Sequence, residues 1–202
     1  MKYVDPDGRK NYLIISCWEG GGDSNQGAMF DIAAETRAND IKNSKDFDVE
    51  NDTITVKKIN SIDELALLLK DGNIDSLDMY GHGGADFLTI GDGGPNGTPK
   101  TREWLTVNDL SRLNKNAFNK GACIVLHQCN TANEKQLSTF EKIFGAKTIA
   151  ENMADYFGVT VTGNQGSATA VPSMSSPVDF NWKYKEGPVY YKAPKGTKTY
   201  VR

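Results

Sequence analysis

A histidine and a cysteine stand where two strand-like segments of the sequence end. His82 follows residues 74–80 and Cys129 follows residues 122–128, and in both places an apolar run gives way to small or polar residues. That change is typical of a buried strand that ends at the catalytic edge of a sheet. A thiolate beside an imidazolium is an activated nucleophile. The pair therefore predicts covalent thiol chemistry, with Cys129 as nucleophile and His82 as general base.

The neighbours of both residues favour this role over an inert one. A cysteine after an apolar strand is usually a small buried hydrophobe, and Cys17 and Cys123 fit that description. Cys129 instead lies among the polar residues Gln128, Asn130 and Thr131. The sequence around His82 is rich in glycine, which lets a ligand approach the backbone closely; the glycines are Gly81, Gly83 and Gly84.

His127 leaves three alternatives open. It shares one face of a regular strand with Cys129, so the two could bind a metal together with His82, although the Cys-x2-Cys and His-x3-His spacings of structural zinc sites do not occur. His127 could instead be the general base. The third alternative, which we favour, places His127 and Gln128 in the wall of a substrate pocket. We therefore predict no metal and no cofactor.

Alternating strands and helices must position these residues. Strands are predicted at residues 12–17, 53–59, 74–80, 122–128 and 159–162. Helices are predicted at 28–43, after Ser61, at 107–118 and at 148–157, and Ser61 and Thr106 begin capping-box patterns. This order predicts an α/β fold, with a mainly parallel central sheet and helices on both faces.

His82-Gly83, Cys129 and their separation resemble the caspase-like cysteine peptidases, a clan that includes caspases, metacaspases, gingipains, clostripain and self-processing toxin domains. Cys129 follows His82 by 47 positions, and the caspase histidine precedes its cysteine by about 50. The resemblance implies a caspase-like three-layer sandwich over residues 12–202. It also implies a cysteine endopeptidase that cleaves proteins, with an oxyanion hole formed by the backbone N–H groups of Gly83 and Cys129.

The substrate preference is less constrained by the resemblance. The caspase pentapeptide is absent around Cys129, so cleavage after aspartate is not implied. Glu19 and Asp23 follow the first strand and are expected to contact substrate together with His127 and Gln128; an acidic pocket there would favour Arg or Lys. Two other functions stay open: a different thiol acyl transfer, such as deamidation or transglutamination, and a caspase-fold binding module that does not cleave.

The beginning of the chain resembles a different kind of protein. Residues 1–9 contain Asp5-Pro6-Asp7-Gly8, which is turn chemistry. They are similar to the Tyr-x-Asp-Pro-x-Gly-Arg segment that closes the repeat core of RHS/YD-repeat proteins, which carry variable C-terminal toxin domains. The resemblance implies a linker at 1–11 and a secreted or delivered bacterial effector that acts in the cytoplasm of a target cell. It implies an immunity or inhibitor protein, or the parent repeat protein, as partner.

Composition and charge favour an ordinary globular domain. We find no apolar run of membrane-spanning length and no signal-peptide pattern, and three cysteines do not suggest a disulfide framework. The net charge is -3, but residues 180–202 hold six Lys and Arg against one acid. Basic and aromatic residues together can bind single-stranded nucleic acid. We favour instead a C-terminal hairpin around a turn at 194–196, with residues 163–202 wrapped over the body, and predict no nucleic-acid partner.

Overall fold

A six-stranded sheet forms the centre of the protein. The structure, a computed structural model, describes residues 8–17, 24–91, 103–143, 145–172 and 188–202. Within these residues the strands are β1 Asn11–Cys17, β2 Thr53–Ile59, β3 Ile74–Tyr80, β4 Phe87–Gly91, β5 Glu103–Thr106, β6 Phe118–Leu126, β7 Thr160–Asn164, β8 Thr169–Pro172, β9 Val189–Lys192 and β10 Thr197–Tyr200. The helices are α1 Ser24–Lys42, α2 Ile62–Leu69, α3 Thr139–Ile143 and α4 Ile149–Phe157, with 3-10 turns at Val107–Arg112 and Glu134–Gln136.

The central sheet is mainly parallel. Its strand order is β10-β7-β6-β3-β1-β2, and only β10 is antiparallel to its neighbour. Parallel strands leave the sheet at the same edge, so the segments that follow β3, β6 and β7 gather there. Two small antiparallel sheets, β4-β5 and β8-β9, lie outside it.

Helices cover both faces of the sheet, as predicted. Alternate residues of β1 point to opposite sides: Ile14 packs with α1, whereas Leu13 and Ile15 belong to the cluster that contains α2 and α4. Burial on both sides explains why β1 and β3 are apolar over most of their length. The α/β class and the mainly parallel sheet of the prediction are therefore confirmed.

Side-chain caps define the ends of two of these helices. The Ser61 hydroxyl accepts a hydrogen bond from the Glu64 N–H at 3.2 Å, and the Thr148 hydroxyl accepts one from the Glu151 N–H at 3.4 Å. Each cap satisfies an N–H group that has no partner within its helix. Gly158 ends α4 in the left-handed conformation, with φ of 68°.

The helix predicted at 107–118 is wrong beyond its first turns. Thr106 and Asp109 do form the predicted capping interaction, with the Thr106 N–H donating to the Asp109 carboxylate at 3.0 Å. The helical segment then stops at Arg112, and Phe118 already starts β6. Asn114 is the physical reason, because its amide donates to the Lys70 carbonyl at 2.9 Å and its Oδ1 accepts from a backbone N–H two residues later.

The C-terminal strands do not form the predicted hairpin. They flank the turn at 194–196, but β9 pairs with β8 and β10 pairs with β7. The edge of β7 offers unpaired backbone groups, and Tyr200 of β10 is buried beside α4, where its hydroxyl lies 3.1 Å from the Thr148 hydroxyl. The last strand therefore belongs to the central sheet. No helix among the described residues is long and apolar enough to cross a membrane.

We expect Tyr200→Phe to lower the free energy of unfolding by about 1 kcal/mol, because a buried hydrogen bond to Thr148 is lost. Tyr190→Phe, the same change at an exposed tyrosine, is the control and should have little effect. Urea unfolding monitored by circular dichroism measures both. Equal stability of the two variants would contradict the anchoring of β10 through Tyr200.

Candidate functional site

The ends of β3 and β6 bring the two predicted dyad segments to one place. These strands are parallel neighbours, and Met79 pairs with Leu126 at the last register position. The ladder continues one step further, because the His127 N–H donates to the Met79 carbonyl at 2.9 Å. The chain therefore enters the His82 loop and the Cys129 loop from adjacent points of the same edge.

Gly83 is where the two loops touch. A Cβ atom at this position would lie 2.9 Å from the Gln128 Cβ and 3.3 Å from the Thr131 Cγ2. Real Cβ atoms do not approach that closely, so a side chain at residue 83 would push the His82 loop away from the Cys129 loop. Packing therefore requires a glycine at position 83, in addition to the predicted role of its N–H group as an oxyanion donor.

The backbone of Gly83 is also arranged so that its N–H is not used by the neighbouring strand β4. Gly83 forms an isolated antiparallel bridge with Leu88. The two hydrogen bonds of that bridge are donated by Thr89 to His82 and by Gly84 to Phe87, both at 3.0 Å. In a pair of this kind the central residues point their own N–H groups away from the partner strand. The Gly83 N–H is therefore aimed away from β4, as an oxyanion donor requires.

His82 is partly exposed and packs against helix α1. The Phe30 ring meets the His82 ring edge to face, with centroids 5.1 Å apart and planes at 84°. The His82 carbonyl accepts a hydrogen bond from the Thr89 N–H. The side chain and the backbone of His82 are thus restrained by two different elements, α1 and β4.

Cys129 is partly exposed, and its sulfur contacts the backbone that follows β7. The Ala168 N–H donates to the Cys129 Sγ at 3.2 Å, and the Sγ lies 3.7 Å from the Ala168 carbonyl oxygen. An N–H group that donates to sulfur stabilises negative charge there. Of the other cysteines, Cys17 is buried as predicted, whereas Cys123 is only partly buried and lies 3.6 Å from the Ser76 hydroxyl.

His127 belongs to a buried charge cluster that the sequence analysis missed. Its Nε2 lies 2.8 Å from the Asp78 Oδ1, and its ring stacks on Tyr80 at 4.1 Å with planes 2° apart. The Arg37 Nε of α1 lies 3.3 Å from the same carboxylate oxygen. Asp78 could have been noticed as an acidic residue inside an apolar strand. Arg37 carried no local signal, because its position depends on how α1 docks on the sheet.

Asp78 and Arg37 stabilise each other's charges. The Asp78 side chain is 1% exposed and Arg37 is 40% exposed. Burial alone would lower the pKa of Arg37, but the attraction of Asp78 and smaller contributions from other neighbours together outweigh it, and the net direction is upward. Arg37 therefore keeps its positive charge beside the buried Asp78 side chain. In the described part of the chain, no group of three or more His, Cys, Asp and Glu side chains is arranged to hold a metal ion.

The predicted substrate-contacting residues fall into different environments. His127 keeps partial exposure, with 21% of its side chain accessible. Gln128 is completely buried, so its side chain cannot meet a substrate in this conformation and the expected contact needs correction. The alternation of the chain turns Gln128 to the opposite side from His127, under the Gly83 loop. Glu19 and Asp23 lie outside the described residues.

Comparison with known proteins adds no assignment. No family model matches the chain, and no curated protein matches it either.

We expect Arg37→Met to lower the free energy of unfolding by about 1–3 kcal/mol, because the buried Asp78 side chain would lose its contact with Arg37. Arg112→Met is the matched control: its guanidinium pairs with Asp63 at 2.9 Å at the surface, where such pairs contribute little. Chemical denaturation gives both values. An equally small loss in the two variants would show that the buried cluster does not support α1.

Proposed function

We propose that the chain is a cysteine endopeptidase with a caspase-like fold, in which Cys129 is the nucleophile and His82 the general base. The observation that carries the proposal is the contact of the two loops through Gly83, at the ends of adjacent parallel strands. A thiol, an imidazole and a glycine N–H that points away from strand β4 then share one edge of the sheet. Those are the groups that thiol-dependent acyl transfer needs.

The reaction uses each group in turn. The Cys129 sulfur attacks the carbonyl carbon of the scissile peptide bond, and the thiol proton passes to His82. The N–H groups of Gly83 and Cys129 hold the oxyanion, and a preorganised donor of this kind contributes about 3 kcal/mol. The C–N bond breaks as His82 returns the proton to the leaving amine. Water, activated by His82, hydrolyses the thioester and restores the thiol.

His127 is assigned to the substrate side and not to the proton transfers. Its Nε2 is engaged by Asp78 at 2.8 Å, and Tyr80 covers one face of its ring. The remaining exposed part of the ring can contact a bound peptide. The competing assignment makes His127 the base with Asp78 as its orienting carboxylate, an arrangement also known from other thiol and serine enzymes. The two assignments differ in which histidine is indispensable.

The biological setting is proposed from the first residues. The similarity of residues 1–9 to the segment that closes RHS repeat cores supports a delivered bacterial effector with an immunity protein as partner; residues 1–7 lie outside the described part of the structure. Expression of the chain in the bacterial cytoplasm should then arrest growth, and the Cys129→Ala variant should not. If cells that make equal amounts of both proteins grow equally well, the effector role is refuted, whereas the peptidase assignment is untouched.

The catalytic assignment is tested with single variants and a peptide library. Cys129→Ala should abolish cleavage and covalent labelling by a thiol-reactive peptide. His82→Ala should lower kcat by about 100- to 10,000-fold, because a positioned base contributes that much. His127→Ala should change the residue preferred before the cut more than it changes kcat. Kinetics at saturating substrate, with thermal unfolding to verify the fold of each variant, gives the comparison.

The outcomes separate the alternatives. A folded His127→Ala variant that is inactive, together with full turnover by His82→Ala, would give the base to His127. A product whose mass changes without chain cleavage, and only when Cys129 is present, would indicate deamidation or transglutamination. A wild-type chain that binds peptides but changes none of them would favour the remaining alternative, a caspase-fold binding module that does not cleave.

A further inference from the structure

The loop that carries Cys129 is held by the end of β7 and not by its own strand alone. Asn164, the last residue of β7, is buried, and its side-chain Nδ2 donates to the Gln128 carbonyl at 3.0 Å. Its backbone N–H donates to the Thr131 hydroxyl at 3.1 Å, and its carbonyl accepts from the Ala132 N–H at 2.9 Å. One residue thus bonds to the loop on both sides of Cys129.

The approach of β7 to the loop is as close as the backbone permits. A Cβ atom at Gly163 would lie 2.7 Å from the Thr131 Oγ1 and 3.1 Å from the Ala132 Cβ. Beyond Asn164 the contact continues, because the Asn130 N–H donates to the Gly166 carbonyl at 2.8 Å. The segment after β7 therefore runs alongside the nucleophile loop until it reaches Ala168.

The loop itself needs this external support. Asn130, next to Cys129, has a φ of 59°, in the left-handed region that non-glycine residues rarely adopt. Such a conformation costs about 1 kcal/mol or more and persists when surrounding contacts determine it. The Asn130 N–H is fixed by Gly166, and its carbonyl accepts from the Asn133 N–H at 2.8 Å. The contacts from the β7 side hold the strained turn beside the sulfur.

We propose that Asn164 is a positioning residue for Cys129. Through its bond to the Gln128 carbonyl, and together with the segment that runs from Asn164 to Ala168, it fixes the Cys129 sulfur against the Ala168 N–H. The inference rests on the proposed role of Cys129 as nucleophile. Asn164 is buried and is proposed to act on Cys129 through the loop, not by contact with substrate. It keeps the Cys129 sulfur within hydrogen-bonding distance of the Ala168 N–H, which stabilises negative charge on the sulfur.

The first test needs no substrate. Iodoacetamide is reacted with the wild-type chain and with Asn164→Ala at pH 7, and peptide mapping by mass spectrometry follows each cysteine. We expect the rate at Cys129 to fall by about threefold or more, because the reactive sulfur carries negative charge and loses its N–H donor. Cys17 and Cys123 serve as internal references, since general loosening of the fold would raise the rates at both.

Two further variants keep the test interpretable. Asn152→Ala is the matched control: the Asn152 amide also donates to a backbone carbonyl at 3.0 Å, but Asn152 lies on α4 and is partly exposed. It should leave the rate at Cys129 unchanged. Thr131→Val preserves volume and removes the hydroxyl that accepts from the Asn164 N–H. It should act in the same direction as Asn164→Ala, so the inference stays testable if Asn164→Ala does not fold.

Turnover supplies the second measurement. With a cleavable peptide, Asn164→Ala should lower kcat by about 10- to 100-fold with little change in KM, because misplacement of a reacting group costs that much. A rate of Cys129 alkylation that is unchanged or raised, in folded Asn164→Ala and Thr131→Val, would overturn the inference. If alkylation falls as expected but the wild-type chain cleaves no peptide, the positioning role stands and the proposed peptidase function fails.

Discussion

The parallel register between β3 and β6 is the constraint on which the site depends. It is fixed from Ser76↔Cys123 to Met79↔Leu126, and it aligns the two strand ends to within one residue. Burial enforces it, because Leu77 and Met79 of β3 and Ile124 and Leu126 of β6 lie in one apolar cluster. A slip of β3 by one residue would turn Leu77 and Met79 to the other face and would place Asp78 in the apolar cluster instead. The same pairing that stabilises the core therefore also brings His82 and Cys129 to one edge.

Burial of the Asp78 carboxylate in the sheet costs free energy, and a contact from helix α1 offsets part of that cost. Asp78 lies in the middle of the sheet, where an unpaired charge would be strongly unfavourable. Arg37 from α1 and His127 from the end of β6 both approach its Oδ1. The contact face of α1 is rich in alanine, at Ala33, Ala34 and Ala38, which lets the helix lie close enough for Arg37 to reach the sheet. Phe30 of the same helix meets His82. Docking of α1 thus couples the buried charge cluster to the predicted base.

Local patterns in the sequence predicted those parts of the fold that local forces decide. β2 and β3 have the predicted bounds, and the capping interactions predicted at Ser61 and Thr106 are present, because a strand pattern or a cap is determined by residues a few positions apart. The helix at 107–118 failed because Asn114 bonds to the end of α2, which is distant in sequence. Arg37 and Asn164 were missed for the same reason, and the partners of Asp78 were missed although an acidic residue inside an apolar strand is itself visible in the sequence. Each acts through a partner on another element, and no spacing in the sequence reveals that partner.

The reacting side chains of the candidate site are restrained in different ways. Two hydrogen bonds of the β4 bridge hold the backbone around His82, but the contact given for its imidazole ring is the apolar one with Phe30. Around Cys129 the restraints are buried polar bonds from Asn164 and Thr131, each of which would leave an unsatisfied group if its partner were lost. Apolar packing tolerates small shifts, whereas hydrogen bonds between buried groups fix distance and direction. In the proposed reaction, His82 needs only to reach a proton, whereas the Cys129 sulfur must meet the carbonyl carbon while the carbonyl oxygen lies against the N–H donors. The buried hydrogen bonds therefore lie around the proposed nucleophile, where a displacement would lower the rate most.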